Sequence, residues 1–321
     1  MLYTQNLEEI VFGRHEIHEA DELIVLSGYL GPRPVSRLNE LPIRSRVIYG
    51  MYGSEGITQG LHNSLVTIQG ESDSVNIFYS KIPVHSKCYI WRVKGAVSHA
   101  LIGSANFSIN GLTTPYREVL AETTRDTFLA LNEYVEHVFN NSINCLEANR
   151  IPRKDKGDRG IIIENCLVSL LGRDGEVQAA AGLNWGQNPN NHTQPDDAYL
   201  PIRASHIRDF PILFPPKQLD PRKEIPIGGR VNRHNDAVEL IWDDGLIMSG
   251  LLEGSQPVDG IKYPKQLCSS PRKNELGEYL RDRLGVPPGQ PVRRHHLESY
   301  GRTDILLSRI GEGIYQLDFS V

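Results

Sequence analysis

Along the first 150 residues, short apolar runs alternate with stretches whose apolar residues recur at helical spacing. Leu7, Ile10 and Val11 predict a short helix within residues 1–20. Residues 23–29 (LIVLSGY) form a continuous apolar run, the pattern of a parallel strand buried on both faces. Gly28 and the following Gly-Pro-Arg-Pro close it. Residues 46–49 and 75–79 predict two further strands, with a helix over 56–66 between them. Residues 84–93 are rich in β-branched and aromatic side chains and predict a strand. Lys94-Gly95 then reads as a turn, 97–102 as the returning strand and 119–122 as one strand more. The longest helix falls over 123–141, where Phe128, Leu131, Val135, Val138 and Phe139 make one apolar stripe. That stripe reads as core or dimer packing. The alternation of strand and helix predicts an α/β layered domain.

Residues 149–160 (NRIPRKDKGDRG) are polar and charged, and the texture changes after them. We place an N-terminal domain at 1–150, a linker at 151–160 and a second domain at 161–321. The second half is dominated by strands and turns. Residues 161–171 and 176–183 read as paired strands around Gly172-Arg173-Asp174-Gly175. Residues 238–242 and 246–251 flank Asp243-Asp244-Gly245, a strong hairpin signal. Residues 303–310 and 314–319 flank Gly311-Glu312-Gly313. Two short helices are expected, over 276–284 and 294–300. A mostly β domain with many turns fits a small barrel or pseudobarrel.

Composition changes this picture little. A hydrophobic content of 39% with 23% charged residues is that of an ordinary water-soluble chain. No apolar run approaches the length of a membrane span, and the N-terminus lacks the layout of a signal peptide. Cys88, Cys145, Cys166 and Cys268 are scattered, without a C-x-x-C pair, as expected of free thiols in a reducing cytoplasm. The net charge of −5 does not announce a nucleic-acid binder, and any face for one would have to come from local clustering.

The candidate chemistry sits in 85–118, HSKCYIWRVKGAVSHALIGSANFSINGLTTPYRE. His85 and Lys87 are two apart on a strand and share a face; Ser104 and Asn106 repeat that spacing after the turn. A hairpin would bring an imidazole, an ammonium, a hydroxyl and a carboxamide together. That set suits a phosphodiester: a nucleophile, a cation and two neutral donors for non-bridging oxygens. No acidic triad for a metal accompanies them. The alternative is a half-buried hairpin with a surface His and Lys, which leaves Gly103-Ser104-Ala105-Asn106 unexplained.

The pattern H-x-K followed by G-S-x-N resembles the phospholipase D superfamily. The usual aspartate five residues after the lysine is replaced by Arg92, which points to the nuclease branch rather than the lipid-cleaving members. Glu118 fits the glutamate those nucleases carry after the asparagine. Since the chain has one such motif and the superfamily uses two histidines per site, the resemblance implies a homodimer with the site on its two-fold axis. It further implies phosphodiester hydrolysis that needs no metal or other cofactor.

The runs GLNWGQ, DDAYLPIR, WDDG, LGEYLRDRLG and ESYGRTD resemble the C-terminal domain of phospholipase-D-type restriction endonucleases, the BfiI- and NgoFVII-like group. That domain is related to the plant B-three DNA-binding pseudobarrel, in which an early and a late arm clamp the major groove of double-stranded DNA. The early arm would fall at 184–203, where Trp185, Gln187, Asn188, Asn190, Asn191, His192, Gln194, Asp196, Asp197 and Arg203 offer hydrogen-bonding groups. The late arm would lie within 254–273, with Gln256, Lys262, Tyr263, Lys265, Gln266, Arg272 and Lys273. Both segments lack hydrophobic periodicity and read as long loops. Arg230, Arg233, Arg293, Arg294 and Arg302 are candidate phosphate contacts, and His295-His296 reads as a helix-surface pair rather than a metal site.

The expectation is therefore a site-specific deoxyribonuclease of restriction type, with a cognate DNA methyltransferase as its implied companion. Three alternatives remain open: a lipid phosphodiesterase, a DNA-binding regulator without activity, and a nuclease subunit serving a separate ATP-dependent helicase or translocase. Because the chain has no Walker A motif, any such ATPase would be another protein.

Overall fold

The computed structural model describes residues 1–148, 164–188, 193–217 and 236–321. The chain divides into two units, Met1–Ile162 and Ile163–Val321. The charged run proposed as the linker lies outside the described residues.

The first unit is built on eight strands: β1 (Leu2–Tyr3), β2 (Glu22–Ser27), β3 (Arg44–Tyr49), β4 (Val75–Ser80), β5 (Lys87–Val93), β6 (Ala96–Gly103), β7 (Leu120–Glu122) and β8 (Ser142–Asn144). They form one sheet in the order β1-β7-β6-β5-β2-β3-β4-β8. The apolar run of β2 is buried on both faces because β2 lies deep in the sheet, parallel to β3 and antiparallel to β5. Six helices accompany the sheet: α1 (Leu7–Ile17), α2 (Pro32–Arg37), α3 (Tyr52–Glu55), α4 (Gln59–Gly70), α5 (Ile109–Thr113) and α6 (Phe128–Asn140). The stripe on α6 covers one face, where Val135 and Val138 join Ile24, Leu26, Ile48, Ile90 and Ala100 in a fully buried cluster. Each Val, Leu or Ile side chain among them contributes about 1.5–3 kcal/mol of burial. The β5–β6 turn is made by Lys94 and Gly95 with φ of 49° and 82°, the left-handed pair that a two-residue hairpin favours.

The second unit holds β9 (Asn165–Ser169), β10 (Leu200–Pro201), β11 (Asp236–Trp242), β12 (Ile247–Glu253), β13 (Gln256–Val258), β14 (Ile261–Tyr263), β15 (Gln266–Ser269), β16 (Asp304–Gly311) and β17 (Ile314–Asp318). Seven of them form a curled sheet, β10-β15-β12-β11-β17-β16-β9, around one core that also takes in α8 (Asn274–Leu284) and α9 (Arg294–Tyr300). This is the expected pseudobarrel. The hairpins around Asp243-Asp244-Gly245 and Gly311-Glu312-Gly313 form as predicted.

Three expectations fail in this unit. Residues 176–183 are not a strand. Gly172 N–H donates to Glu176 O at 2.8 Å to close a turn, and β9 pairs with β16 instead. The buried Asn184 side chain then takes up backbone groups of Gln178 and Val292 that a ladder would have used. A third helix, α7 (Ala204–Asp209), was missed because six residues are too few to show a period. The proposed late arm is not a bare loop but carries the β13–β14 hairpin and β15.

Candidate active site

Strand direction explains why the motif residues meet. Since β5 runs antiparallel to both neighbours, its start lies beside the ends of β2 and β6. β7 is antiparallel to β6, so its start falls at the same edge. Four chain segments, around Ser27, His85, Ser104 and Glu118, therefore share one end of the sheet.

Lys87 opens β5 opposite Ser27 and is only 5% exposed, whereas His85 lies before the strand and is exposed. The Lys87 ammonium stands 3.2 Å from His85 Nδ1 and 3.1 Å from Nε2, and donates to His85 O at 2.6 Å. An ammonium has only protons to give, so a ring nitrogen that bonds it does so with its lone pair. Gly28 makes this approach possible: a Cβ there would lie 2.9 Å from His85 Cδ2 and 3.3 Å from Lys87 Nζ.

Ser104 and Asn106 lie just past the end of β6, not on the strand, so their proximity comes from the loop rather than from strand alternation. Ser104 Oγ accepts from Val119 N–H at 3.1 Å, which leaves the hydroxyl hydrogen to donate outward. Asn106 Oδ1 accepts from Tyr29 N–H at 3.2 Å, and that bond orients the carboxamide with its NH2 available. Gly103 lets β7 approach, because a Cβ there would collide with Val119 O. Glu118, next to Val119, is half-buried, and among the described residues its carboxylate makes no hydrogen bond or ion pair.

Arg92, standing where the superfamily's aspartate is usual, sits at the far end of β5. It is buried in an ion-pair network with Glu22 at 3.3 Å and Glu136 at 2.7 Å. Its role is in the sheet, away from His85.

Sequence reasoning missed three neighbours. Tyr29 lies edge-on to the His85 ring, centroids 5.7 Å apart at 77°, and its phenol donates to Glu55. Ser27 Oγ donates to Tyr29 O at 2.7 Å and accepts from Phe107 N–H at 3.0 Å, stitching the two loops together. The available signal was position: ligands of open α/β sheets gather at the carboxyl ends of strands, and Ser27 and Tyr29 close β2.

In the second unit, many of the proposed base-reading groups are already engaged. Asp196 is buried, 2.8 Å from Arg281 Nε, and accepts from Gly289 N–H at 2.9 Å. Asp197 is buried and accepts from Gln194 N–H. Gln187 and Asn188 donate to Gly289 O and Ala180 O, and Arg203 to Leu171 O. Trp185 is half-buried against Tyr199, with the Lys273 ammonium 4.9 Å from its ring centre. Gln256 donates to Ile202 O and Pro264 O, Gln266 belongs to β15, and Tyr263 packs on the core. Lys262, Lys265 and Arg272 are exposed. Asn190, Asn191, His192, Arg230 and Arg233 lie outside the described residues. Arg302 is paired with Asp304 and Asp318, and Arg294 with Glu298. The His295 and His296 rings lie 4.0 Å apart, tilted by 51°, and His296 Nδ1 accepts from Arg293 N–H.

Among the described residues, no group of three or more His, Cys, Asp or Glu is placed to hold a metal ion, and no helix is long and apolar enough to cross a membrane. Burial pushes all four thiols up, Cys88 and Cys166 to about 11 and Cys145 and Cys268 to about 12.

No curated protein matches the chain. Among solved structures, NucT from Helicobacter pylori is 16% identical at a TM-score of 0.33, over 45% of this chain and 97% of that one. The phospholipase D family member Nuc from Salmonella typhimurium is 12% identical at 0.30, over 42% and 88%. Family models match in tandem: the NgoFVII restriction endonuclease N-terminal PLD domain over residues 5–151, and the NgoFVII C-terminal B3-like DNA-binding domain over 160–311. The two matches together span most of the sequence, and the chain belongs to the NgoFVII restriction endonuclease family, a PLD-type nuclease domain followed by a B3-like DNA-binding domain.

Proposed function

We propose that the protein is a homodimeric, site-specific restriction endonuclease that hydrolyses double-stranded DNA through a phosphohistidine, without a metal. His85 Nε2 or Nδ1 attacks the scissile phosphorus, forming an N–P bond as the P–O bond to the leaving strand breaks. His85 of the partner subunit gives that oxygen its proton, then takes one from the water that releases the phosphoryl group. Lys87 supplies the positive charge, and Ser104 and Asn106 donate to non-bridging oxygens. Glu118, whose carboxylate has no hydrogen bond or ion pair among the described residues, orients an imidazole across the dimer. One composite site cuts one strand at a time, so double-strand cleavage requires repositioning.

In the second unit, the exposed Lys262, Lys265 and Arg272 meet DNA. Asp196, Asp197, Gln187 and Asn188 shape the early segment rather than read bases. Trp185 and Arg203 support its two flanks.

The observation that supports this reading best is the outward orientation of two neutral donors beside a Lys-supported imidazole, in a chain that also carries a DNA-binding domain. The test is plasmid cleavage with and without EDTA, by wild type and His85→Ala. Wild type should cut in EDTA, while His85→Ala should bind specifically without cutting. Wild-type activity lost in EDTA and restored by magnesium would refute the mechanism.

A further inference from the structure

We infer that Tyr29, held by Glu55, is a positioning residue that keeps the His85 imidazole and the Asn106 carboxamide in one fixed relation; this rests on the nuclease reading above. His85 is exposed and precedes its strand, so core packing does not choose its rotamer. Attack on phosphorus nevertheless needs a ring nitrogen in line, and a misplacement of about 1 Å costs on the order of 10²-fold in rate.

Tyr29 meets the site at three points. Its backbone N–H donates to Asn106 Oδ1 at 3.2 Å. Its ring packs against the His85 ring, 5.7 Å between centroids. Its phenol donates to the Glu55 carboxylate, 3.0 and 2.9 Å from the two oxygens. The last contact matters because a half-buried tyrosine on a loop can swing about χ1, and its wall would leave with it. Glu55 ends α3, a different segment at the same end of the sheet, so the brace joins two loops. Gly28 lies against the His85 ring as well, so the imidazole is confined by Gly28 and by Tyr29 while the Lys87 ammonium contacts its nitrogens. The same residue therefore sets the nucleophile and one of the donors that must receive the phosphoryl oxygen.

The experiment uses the full chain carrying Tyr29→Leu, Tyr29→Phe, Glu55→Ala or Glu55→Gln, and the Tyr29→Phe/Glu55→Ala double variant. Three quantities are read: the single-turnover rate of plasmid cleavage, the Kd for the same DNA, and the 15N imidazole resonances of His85, assigned by comparison with His85→Ala. Tyr29→Leu should slow cleavage between about 10- and 10²-fold, with Kd within about twofold and a shifted or broadened His85 signal. Tyr29→Phe and Glu55→Ala should each lose the same smaller factor and should not add in the double variant, since both cut one bond. Glu55→Gln, whose amide oxygen still accepts from the phenol, should restore most of the rate lost in Glu55→Ala. An unchanged rate and unchanged His85 resonances in Tyr29→Leu would overturn the inference, as would additive losses in the double variant. If Tyr29→Leu folds poorly, the phenol cycle and its imidazole signals decide. A wild type that cuts no DNA would instead sink the nuclease reading, and the resonances would still report on Tyr29.

Discussion

Replacing Asp196 by Asn removes one negative charge from a buried pair and almost nothing else. Arg281 is 1% exposed and Asp196 4%. The guanidinium also donates to the carbonyls of Gly277, Leu183 and Gln290, and those bonds survive the substitution. Burial already presses the Arg281 pKa down while Asp196 opposes it, so losing the carboxylate leaves a desolvated cation without its counter-charge. Breaking a buried pair on one side costs about 3–5 kcal/mol. The surviving carbonyl bonds and an Asn oxygen that still accepts from Gly289 place Asp196→Asn near ~3 kcal/mol. Ala loses the Gly289 bond as well and fits poorly at φ 66°, which puts Asp196→Ala near ~5 kcal/mol. Urea unfolding followed by tryptophan fluorescence measures this. In a Trp91→Phe background the remaining Trp185 and Trp242 both report on the second unit. A loss under about 1 kcal/mol for Asp196→Asn, or a weakened specific DNA affinity at unchanged stability, would refute the structural role and return Asp196 to base reading.

Gly28→Ala should slow single-turnover cleavage about tenfold, because the added carbon, 2.9 Å from His85 Cδ2, moves the ring by about half an ångström; unchanged melting with unchanged cleavage would show the ring is not held there. The stacked His18 and His99 rings, centroids 4.1 Å apart, should make the first unit sensitive to acid. Burial, with His18 and Arg14 beside it, lowers His99 to about 4 from its ordinary 6.5, so the folded ring stays neutral where the unfolded one takes up a proton. Its contribution to stability is thus complete above pH 6.5 and is lost as pH falls toward 4. His99→Phe should flatten the melting temperature against pH in that window, and an unaltered slope would argue against this account.

The motif was legible because its parts lie in two short runs separated by a hairpin, and a hairpin's geometry is local. The chemistry of Lys87, Ser104 and Asn106 follows from residue type. Tyr29 and Glu55 stayed hidden because they arrive from β2 and α3, and no local pattern ties a tyrosine in one loop to a histidine 56 positions on. In the second unit, polar residues without periodicity read as recognition loops, but the lack of a period does not tell which of them are buried. Asp196 and Asp197 look the same as exposed carboxylates until Arg281, itself buried in α8, supplies the partner of the first and Gln194 N–H that of the second. Arg92 shows the converse: a departure from the motif is explained by Glu22 and Glu136, neither of which the motif contains.

The reversal of β5 between β2 and β6 also dictates when, during synthesis, the candidate site can be assembled. A polypeptide emerging from the ribosome delivers β2 first and His85 next, but the Ser104 hydroxyl is not oriented until Val119 lies beside it. A nascent chain short of that residue has the imidazole without its finished cradle. The candidate site is thus complete only once β7 has been threaded between β6 and β1.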